Sequence, residues 1–344
     1  MSRPFNSDNM TGLKIDPLSE IRNAGIVTSG DVYWVSNVTD ASHRTRHDAI
    51  GGGNLVTSLQ AGIDKTASDE NDYVLVTAAD GGTIRTLGTA VDVNKDRVHL
   101  LGVGAVPAPQ AYNGLAFQGY VAATGIDTEL LNVTGAGVEI GGLKFLGTSG
   151  TADLGTITAL MRVGTASSGT PHDLYAHDLH VESNQAAADN GTAFIVNVAG
   201  DVGGGIQGLK FERCWLGNWS WAPAAVVQTG GTAGPTRAEF RDCTFVSDAQ
   251  ATTDDFVVVG TGVREYTIFK NCDFINVEAG TLMASALTGA VLVDNPVLLR
   301  NCSYVNVTQA GTDTEVFKSP ASSGTQAAIF DYGISIGTAA LSPA

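Results

Sequence analysis

The chain has 344 residues, a hydrophobic content of 43% and a formal charge of −16. This hydrophobic content is enough for a sizeable core and excludes an intrinsically disordered protein. The negative charge argues against a nucleic-acid-binding protein or one that binds anionic membranes, because both need a basic face. With 42 glycines, the composition favours short strands and tight turns over long helices.

Residues 1–29 are polar and contain no apolar run of the signal-peptide type, and no later stretch has the length of a membrane span. We therefore expect synthesis in a cytoplasm and free cysteines. Two interpretations of residues 1–29 stay open: a frayed terminus, or an arm that docks on a partner. Further on, His43 and His47 lie four residues apart, a spacing that binds metals on helices, but their polar, glycine-flanked surroundings indicate a solvated loop.

Residues 30–71 are predicted to close one end of the domain that follows. The stretch "GDVYWVSNV" from Gly30 has the pattern of a strand. After it, Asn54 is a candidate helix N-cap, and Leu55, Leu59 and Ile63 share one helical face. We expect a short capping helix just before the first strand of the main domain, residues 72–330. Residues 331–344 are predicted to be a tail.

The main domain contains a repeat that is marked by its only cysteines. Cys214, Cys243, Cys272 and Cys302 are separated by 29, 29 and 30 residues, which is typical of a stacked repeat. Two residues after each cysteine stands an apolar or aromatic residue: Leu216, Phe245, Phe274 and Tyr304. Four residues after it stands Asn or Ser, for which we predict a row of turns: Asn218, Ser247, Asn276 and Asn306.

The same alternation continues upstream without cysteine, and we align Val98, Leu143 and Leu179 with the cysteine row. Each period also contains a second apolar run, such as "ALMRVG" from Ala159, and none contains a segment suited to a crossover helix. The pattern predicts an all-β fold of at least seven turns, a parallel β-solenoid. Its cysteines would form a structural column of stacked, buried thiols. Disulfides and a zinc site are the alternatives, but the close cysteine pairs of zinc sites are absent.

The chain resembles right-handed parallel β-helix proteins of the pectate-lyase-like superfamily. The resemblance depends on "VDVNKDRVHLLGVG", "VEIGGLKFLG" and the four cysteine repeats, over roughly residues 72–310. The segment from "GDVYWVSNV" to "GGTI" also resembles the opening of β-helix proteins of tailed bacteriophages. That resemblance implies a homotrimeric virion protein, either a capsid-decorating protein, a head fibre or a tail spike, with other virion proteins as partners through the N-terminal arm.

Tail spikes often degrade polysaccharides, so an enzyme or a carbohydrate-binding adhesin is the alternative function. An enzyme that hydrolyses polysaccharide needs two carboxylates flanking the scissile bond. Asp242 and Asp273 lie on neighbouring repeats, and Glu212 and Glu239 are further candidates. A chain with 35 acidic residues produces such pairs by chance, and we predict no catalytic residue, metal site or cofactor.

Three of the four tryptophans lie in "CWLGNWSWAP": Trp215, Trp219 and Trp221. The repeat register predicts that Trp215 faces outward, and outward aromatic residues suggest a contact surface. Subunit packing, stacking on sugar rings and local loop packing are the three interpretations.

Overall fold

The computed structural model describes residues 30–35, 54–76, 85–102, 118–122, 129–148, 159–164, 172–184, 194–198, 208–218, 227–229, 237–247, 255–259, 266–277, 285–289, 297–305 and 329–332. These residues contain one helix, α1 (Leu59–Lys65), and 26 short strands. The strands are β1 (Val32–Val35), β2 (Leu55–Val56), β3 (Tyr73–Val76), β4 (Arg85–Leu87), β5 (Val91–Val93), β6 (His99–Gly102), β7 (Gln118–Ala122), β8 (Leu131–Val133), β9 (Glu139–Gly141), β10 (Leu143–Thr148), β11 (Ala159–Val163), β12 (Tyr175–His177), β13 (His180–Asn184), β14 (Phe194–Val198), β15 (Leu209–Glu212), β16 (Trp215–Asn218), β17 (Val227–Thr229), β18 (Arg237–Arg241), β19 (Thr244–Ser247), β20 (Asp255–Val259), β21 (Tyr266–Lys270), β22 (Asp273–Asn276), β23 (Ser285–Gly289), β24 (Val297–Arg300), β25 (Ser303–Val305) and β26 (Ile329–Tyr332).

The strands form three parallel sheets, and the chain passes through the sheets in turn. Sheet 1 has eleven strands in the order β2-β1-β3-β6-β9-β12-β15-β18-β21-β24-β26. Sheet 2 has eight strands and runs from β4 to β25, and sheet 3 has seven and runs from β5 to β23. Each turn of the chain, or rung, therefore adds one strand to each sheet, which confirms the predicted right-handed parallel β-helix. The seven strands of sheet 3 agree with the expected number of turns.

The interior is filled by columns of like side chains, because residues one rung apart lie directly over each other. Phe211, Phe240 and Phe269 stack in sheet 1, with ring centroids 5.2 and 4.9 Å apart. In sheet 2, Phe245 stacks on Phe274 at 4.9 Å and Phe274 on Tyr304 at 5.5 Å. Stacked rings bury large apolar areas and add about 0.5–1.5 kcal/mol per pair.

Sheets 1 and 2 meet at a sharp corner, formed in each rung by one residue in the left-handed backbone conformation. Six successive rungs place a residue with φ between 51° and 65° here: Gly142, Asp178, Arg213, Asp242, Asn271 and Asn301. The backbone N–H of this residue bonds the next rung, as from Asp242 N to Lys270 O at 2.9 Å. Asn and Asp tolerate this conformation better than most residues, so they dominate the row.

The turn row predicted four residues after each cysteine is therefore wrong where the structure describes it. Asn218, Ser247 and Asn276 are the last residues of β16, β19 and β22. Ser247 and Asn276 are buried, which agrees with strand alternation, since they lie an even number of residues after their cysteines. The sharp turn comes instead one residue before each cysteine. Asn306 lies outside the described residues.

The alignment of Val98 with the cysteine row is also wrong. Val98 precedes β6, and β6 pairs with β3 and β9 in sheet 1. Leu143 and Leu179 do belong to the cysteine row, since Lys144, His180 and Trp215 are register partners in sheet 2. Both sheets bury apolar residues at every second position, so alternation alone does not distinguish them.

Helix α1 packs against β1, β3 and β5, the strands near one end of the helical stack. The helix begins at Leu59 and not near Asn54, because Leu55 and Val56 pair with β1. Its N-cap is Ser58, whose hydroxyl accepts a hydrogen bond from the backbone of Ala61 at 3.2 Å. Leu59 and Ile63 are buried in the core.

The predicted domain boundaries stay predictions. Residues 1–29 and 333–344 lie outside the described residues, and β26 spans the boundary placed at residue 330.

Candidate functional site

The four cysteines lie in one column inside the molecule. They precede Trp215, Thr244, Asp273 and Ser303, which are register partners in sheet 2. All four thiols are free and buried, and the thiol of Cys243 contacts those of Cys214 and Cys272. Burial raises the pKa of Cys243, and its two thiol neighbours add to the effect. A reactive cysteine also needs access to its substrate, and these four are buried, so this column favours packing over nucleophilic chemistry.

Trp215 is the one predicted contact tryptophan that the structure describes. It lies on the outer face of sheet 2, half-buried, and its ring stacks on that of His180 one rung away, with centroids 5.8 Å apart. Its indole Nε1 is buried without a hydrogen-bond partner. Trp219 and Trp221 lie outside the described residues, as do His43 and His47.

The four carboxylates named as hydrolytic candidates are distributed over sheet 1, sheet 2 and the corner between them. Asp242 is a corner residue that accepts a hydrogen bond from Asn271 at 2.9 Å. Asp273 belongs to sheet 2 and accepts one from Ser303. Glu212 and Glu239 lie on sheet 1.

Sequence reasoning missed a chain of titratable side chains on the outer face of sheet 1. We call it the acid–base ladder, and its members are His99, Glu139, His177, Asp178 and Arg213. His99 Nδ1 lies 2.6 Å from one oxygen of Glu139, and His177 Nε2 lies 3.1 Å from the other. The second nitrogen of His177 lies 2.8 Å from Asp178. Arg213 donates to both oxygens of Asp178, at 2.8 Å each.

A glycine makes the central contact of the ladder possible. His177 is the register partner of Gly141, one rung away in sheet 1. The imidazole of His177 lies over Gly141, and a Cβ there would be 2.3 Å from its Cε1 atom. With this space open, His177 reaches Glu139 at the other end of β9. Because Gly141 of "EIGG" has no side chain, it leaves the room that His177 needs to reach Glu139.

The contacts shift the pKa values of Glu139, His177 and Asp178 towards their charged forms. Hydrogen bonds from His177 and His99 lower the pKa of Glu139 to about 2, against the opposing effect of burial. Burial lowers the pKa of His177, but its bonds to Glu139 and Asp178 outweigh burial and raise the pKa above its usual value. Burial raises the pKa of Asp178, but the bonds from Arg213 and His177 outweigh it and hold that pKa low.

Aromatic and charged side chains extend the ladder on both sides. The ring of Tyr73 stacks on His99 at 4.3 Å, and that of Tyr175 lies 4.7 Å from His177. The Tyr175 hydroxyl is 3.0 Å from a carboxylate oxygen of Glu212, which also accepts bonds from Lys210. The ladder therefore connects rung to rung along the face of sheet 1.

This arrangement is suited to holding rungs together by charge. Both nitrogens of His177 contact carboxylates, which favours the imidazolium, because each nitrogen then donates a proton. A general acid in glycoside hydrolysis needs a carboxyl group with a raised pKa, whereas those of Glu139 and Asp178 are lowered. Within the described residues, no group of three or more His, Cys, Asp or Glu side chains is arranged to hold a metal ion, and no helix could span a membrane.

The misaligned Val98 explains why the ladder was missed. Aligning Val98 with the cysteine row placed the neighbouring His99 in the wrong sheet. His99, Glu139 and Tyr175 share one row of sheet 1. The ladder could have been found from the acidic and basic residues that occupy outward positions in "VEIGG", "LYAHD" and "KFERC".

No protein-family model matches the sequence, and no curated protein matches it. Solved structures with a similar fold do match. The deglycosylated pectin methylesterase of Aspergillus niger has 10% identity and a TM-score of 0.45, over 83% of this chain and 89% of that one. A pectin methylesterase in complex with a hexasaccharide has 12% identity and a TM-score of 0.44, over 89% and 81%. ORF18 of Geobacillus virus E2 has 10% identity and a TM-score of 0.30, over 73% of this chain and 56% of that protein. With identities and TM-scores this low, these matches carry no conclusion about what this chain does.

Proposed function

We propose that this chain is a structural, surface-displayed protein of a bacteriophage particle, a capsid-decorating protein, head fibre or spike that works as a stiff β-helical rod. The main support is the acid–base ladder, in which the carboxylates of Glu139 and Asp178 join neighbouring rungs through His177 and Arg213. Their lowered pKa values keep these two carboxylates charged at a lower pH than is usual for Glu and Asp. A particle protein exposed to changing surroundings benefits from such cross-links.

The interior supports the same role. Buried columns of stacked phenylalanines and thiols run along the axis, so each rung is held by its two neighbours. A rod of this kind is stiff because bending it would separate whole rows of stacked side chains. It would also break the backbone hydrogen bonds between neighbouring strands.

The particle assignment itself rests on the order of the first elements. A strand, a capping helix and the first rung follow one another, as in the phage β-helix proteins that the sequence resembles. Helix α1 packs against β1, and residues 1–29 precede β1 in the sequence. We propose that these residues dock the rod on other virion proteins. We also propose a homotrimer of rods lying side by side.

Locating the protein on purified particles tests this proposal. Immunogold microscopy of particles made with the full chain should label their surface, and deletion of residues 1–25 should abolish the label while the purified variant keeps its β-sheet circular dichroism. Unlabelled particles would contradict the particle assignment. Labelling that survives the deletion would contradict the docking role of the arm.

A carbohydrate-binding or polysaccharide-degrading spike is the second candidate function, and the half-exposed ring of Trp215 favours it. The exposed part of the indole ring could pack against a sugar ring. Incubating the purified protein with host-surface polysaccharide distinguishes the two. New reducing ends or unsaturated sugars would favour the enzyme over the structural rod, and binding that is lost in Trp215→Ala would favour the adhesin.

A further inference from the structure

Along most of the outer face of sheet 1, cations contact carboxylates. His99 and His177 contact Glu139. Further along the rod, Arg213 contacts Asp178 and Glu212, Lys210 contacts Glu212, and Arg241 contacts Glu239. Over these rungs, carboxylates of the same chain compensate the positive charges.

This pairing of cations with carboxylates ends after β18. The register of sheet 1 stacks Arg241, Lys270 and Arg300 in three successive rungs, about 4.8 Å apart. Arg241 has Glu239, but within the described part of the chain no carboxylate forms an ion pair with Lys270 or Arg300. Like charges directly opposite each other in a sheet are destabilising. Such a row is unexpected in a chain with 35 acidic and only 19 basic residues.

The surroundings of this row indicate which kind of partner compensates it. The adjacent outward row of sheet 1 contains Ile268 and Leu298, both half-buried, and the corner beside it holds the exposed Asn271 and Asn301. Sugars and nucleic-acid bases stack on flat aromatic rings, whereas branched aliphatic side chains pack against other aliphatic side chains. Aliphatic residues beside cations therefore fit an acidic protein surface better than a glycan or a nucleic acid.

We infer that this cationic face (Arg241, Lys270 and Arg300 with Ile268 and Leu298) is the contact surface for a second copy of this chain. Charge complementarity supports this partner, because a second copy carries 35 acidic against 19 basic residues and so offers acidic groups to a cationic face. Repeat matching supports it as well. A neighbouring rod has the same rise per rung, so a contact made at one rung can be repeated at the next. The inference rests on the proposed assembled rod and names the face through which it assembles.

The test is the oligomeric state of the full chain in solution, measured by light scattering after size exclusion. The wild type should be an oligomer that weakens as salt is raised, because exposed charge pairs are screened. The double variant Lys270→Glu/Arg300→Glu should be a monomer at the same concentration. Arg97→Glu is the matched control, since Arg97 is also exposed but pairs with Asp69 in its own chain, and it should leave the oligomer unchanged. Circular dichroism checks that each variant is folded.

Three results would overturn the inference. One is a monomeric wild type, and another is an oligomer that the double charge reversal leaves intact. The third is a monomer that binds sodium polygalacturonate through Lys270 and Arg300, which would make the face a site for an acidic glycan. None of them uses phage particles, so they leave the particle assignment to the labelling experiment.

Discussion

The imidazole of His177 occupies the space that a side chain at Gly141 would fill. The two residues are register partners on neighbouring rungs of sheet 1, and a Cβ at Gly141 would approach the ring to 2.3 Å. The bond from His177 to Glu139 depends on this vacant space. A local feature of the backbone therefore controls a contact between side chains of two rungs.

Gly141→Ala should displace the His177 ring and break its bond to Glu139. We expect a loss of unfolding free energy of about 1–2 kcal/mol, as for a hydrogen bond to a charged group that is partly exposed. The pKa of His177 should fall at the same time, because Glu139 no longer raises it. Denaturant unfolding and NMR titration of the imidazole measure the two effects. Gly88→Ala is the control, since a Cβ there meets no atom within 4 Å. Equal effects of the two substitutions would contradict the steric argument.

On the acid side, stability should depend on Glu139. Its pKa is about 2 in the folded protein and 4.5 when unperturbed. A group whose pKa is lowered by folding contributes stability above its unfolded pKa, and the contribution is lost as the pH falls towards the folded pKa. The difference in unfolding free energy between wild type and Glu139→Gln should therefore be constant between pH 4.5 and 6.5 and shrink as the pH falls towards 2. A difference that is independent of pH would show that the charge of Glu139 is not what stabilises the rungs.

The alkaline side should depend on His177, with the opposite sign. Folding raises its pKa above 6.5, so its contribution is complete below that pH and is lost as the pH rises through the folded pKa. Replacing His177 by Gln should cost most stability in acid and progressively less above pH 6.5. Urea unfolding of both proteins over this range measures the effect. A penalty that grows with pH would contradict the imidazolium interpretation.

The sequence predicted the fold well where the rungs have equal lengths. From Cys214 to Cys302 the period is 29–30 residues, so aligning the cysteines aligns every other column, and the structure has these columns. Upstream the loops vary in length, and alternation cannot say to which sheet a strand belongs. For that reason Val98 was assigned to the wrong sheet and the partners of His99 were missed.

The corner row shows a second limit. Asp242, Asn271 and Asn301 precede their cysteines, and Asn and Asp are the residues that tolerate left-handed angles. Arg213 at the same position concealed the pattern. The Asn and Ser residues four positions after the cysteines drew the turn prediction instead, although alternation directs them inward. The even spacing from the cysteines, which places these residues on the same face of the strand, was the better guide to their direction.

Thr267 is expected to be a weak point of the core. It is completely buried in β21, and its hydroxyl has no hydrogen-bond partner. Burying an unpaired hydroxyl costs free energy, and valine has nearly the same shape without that group. Thr267→Val should therefore raise the unfolding free energy by about 1 kcal/mol. Thr244→Val, at a half-exposed position, is the control and should change it by less than about 0.5 kcal/mol. Destabilisation by Thr267→Val would mean that the hydroxyl is paired in solution.

The thiol column should be chemically silent in the folded protein. All four cysteines are buried and free, so a reagent has no access to them, and burial also raises the pKa of Cys243. Ellman's reagent should therefore label none of them in native protein, and all four per chain in guanidinium chloride. Val277→Cys provides the matched control, because its position is 42% exposed and one added thiol should react at once in the native state. Rapid reaction of the wild-type cysteines would mean that the rungs open around the column, which would contradict a stiff rod.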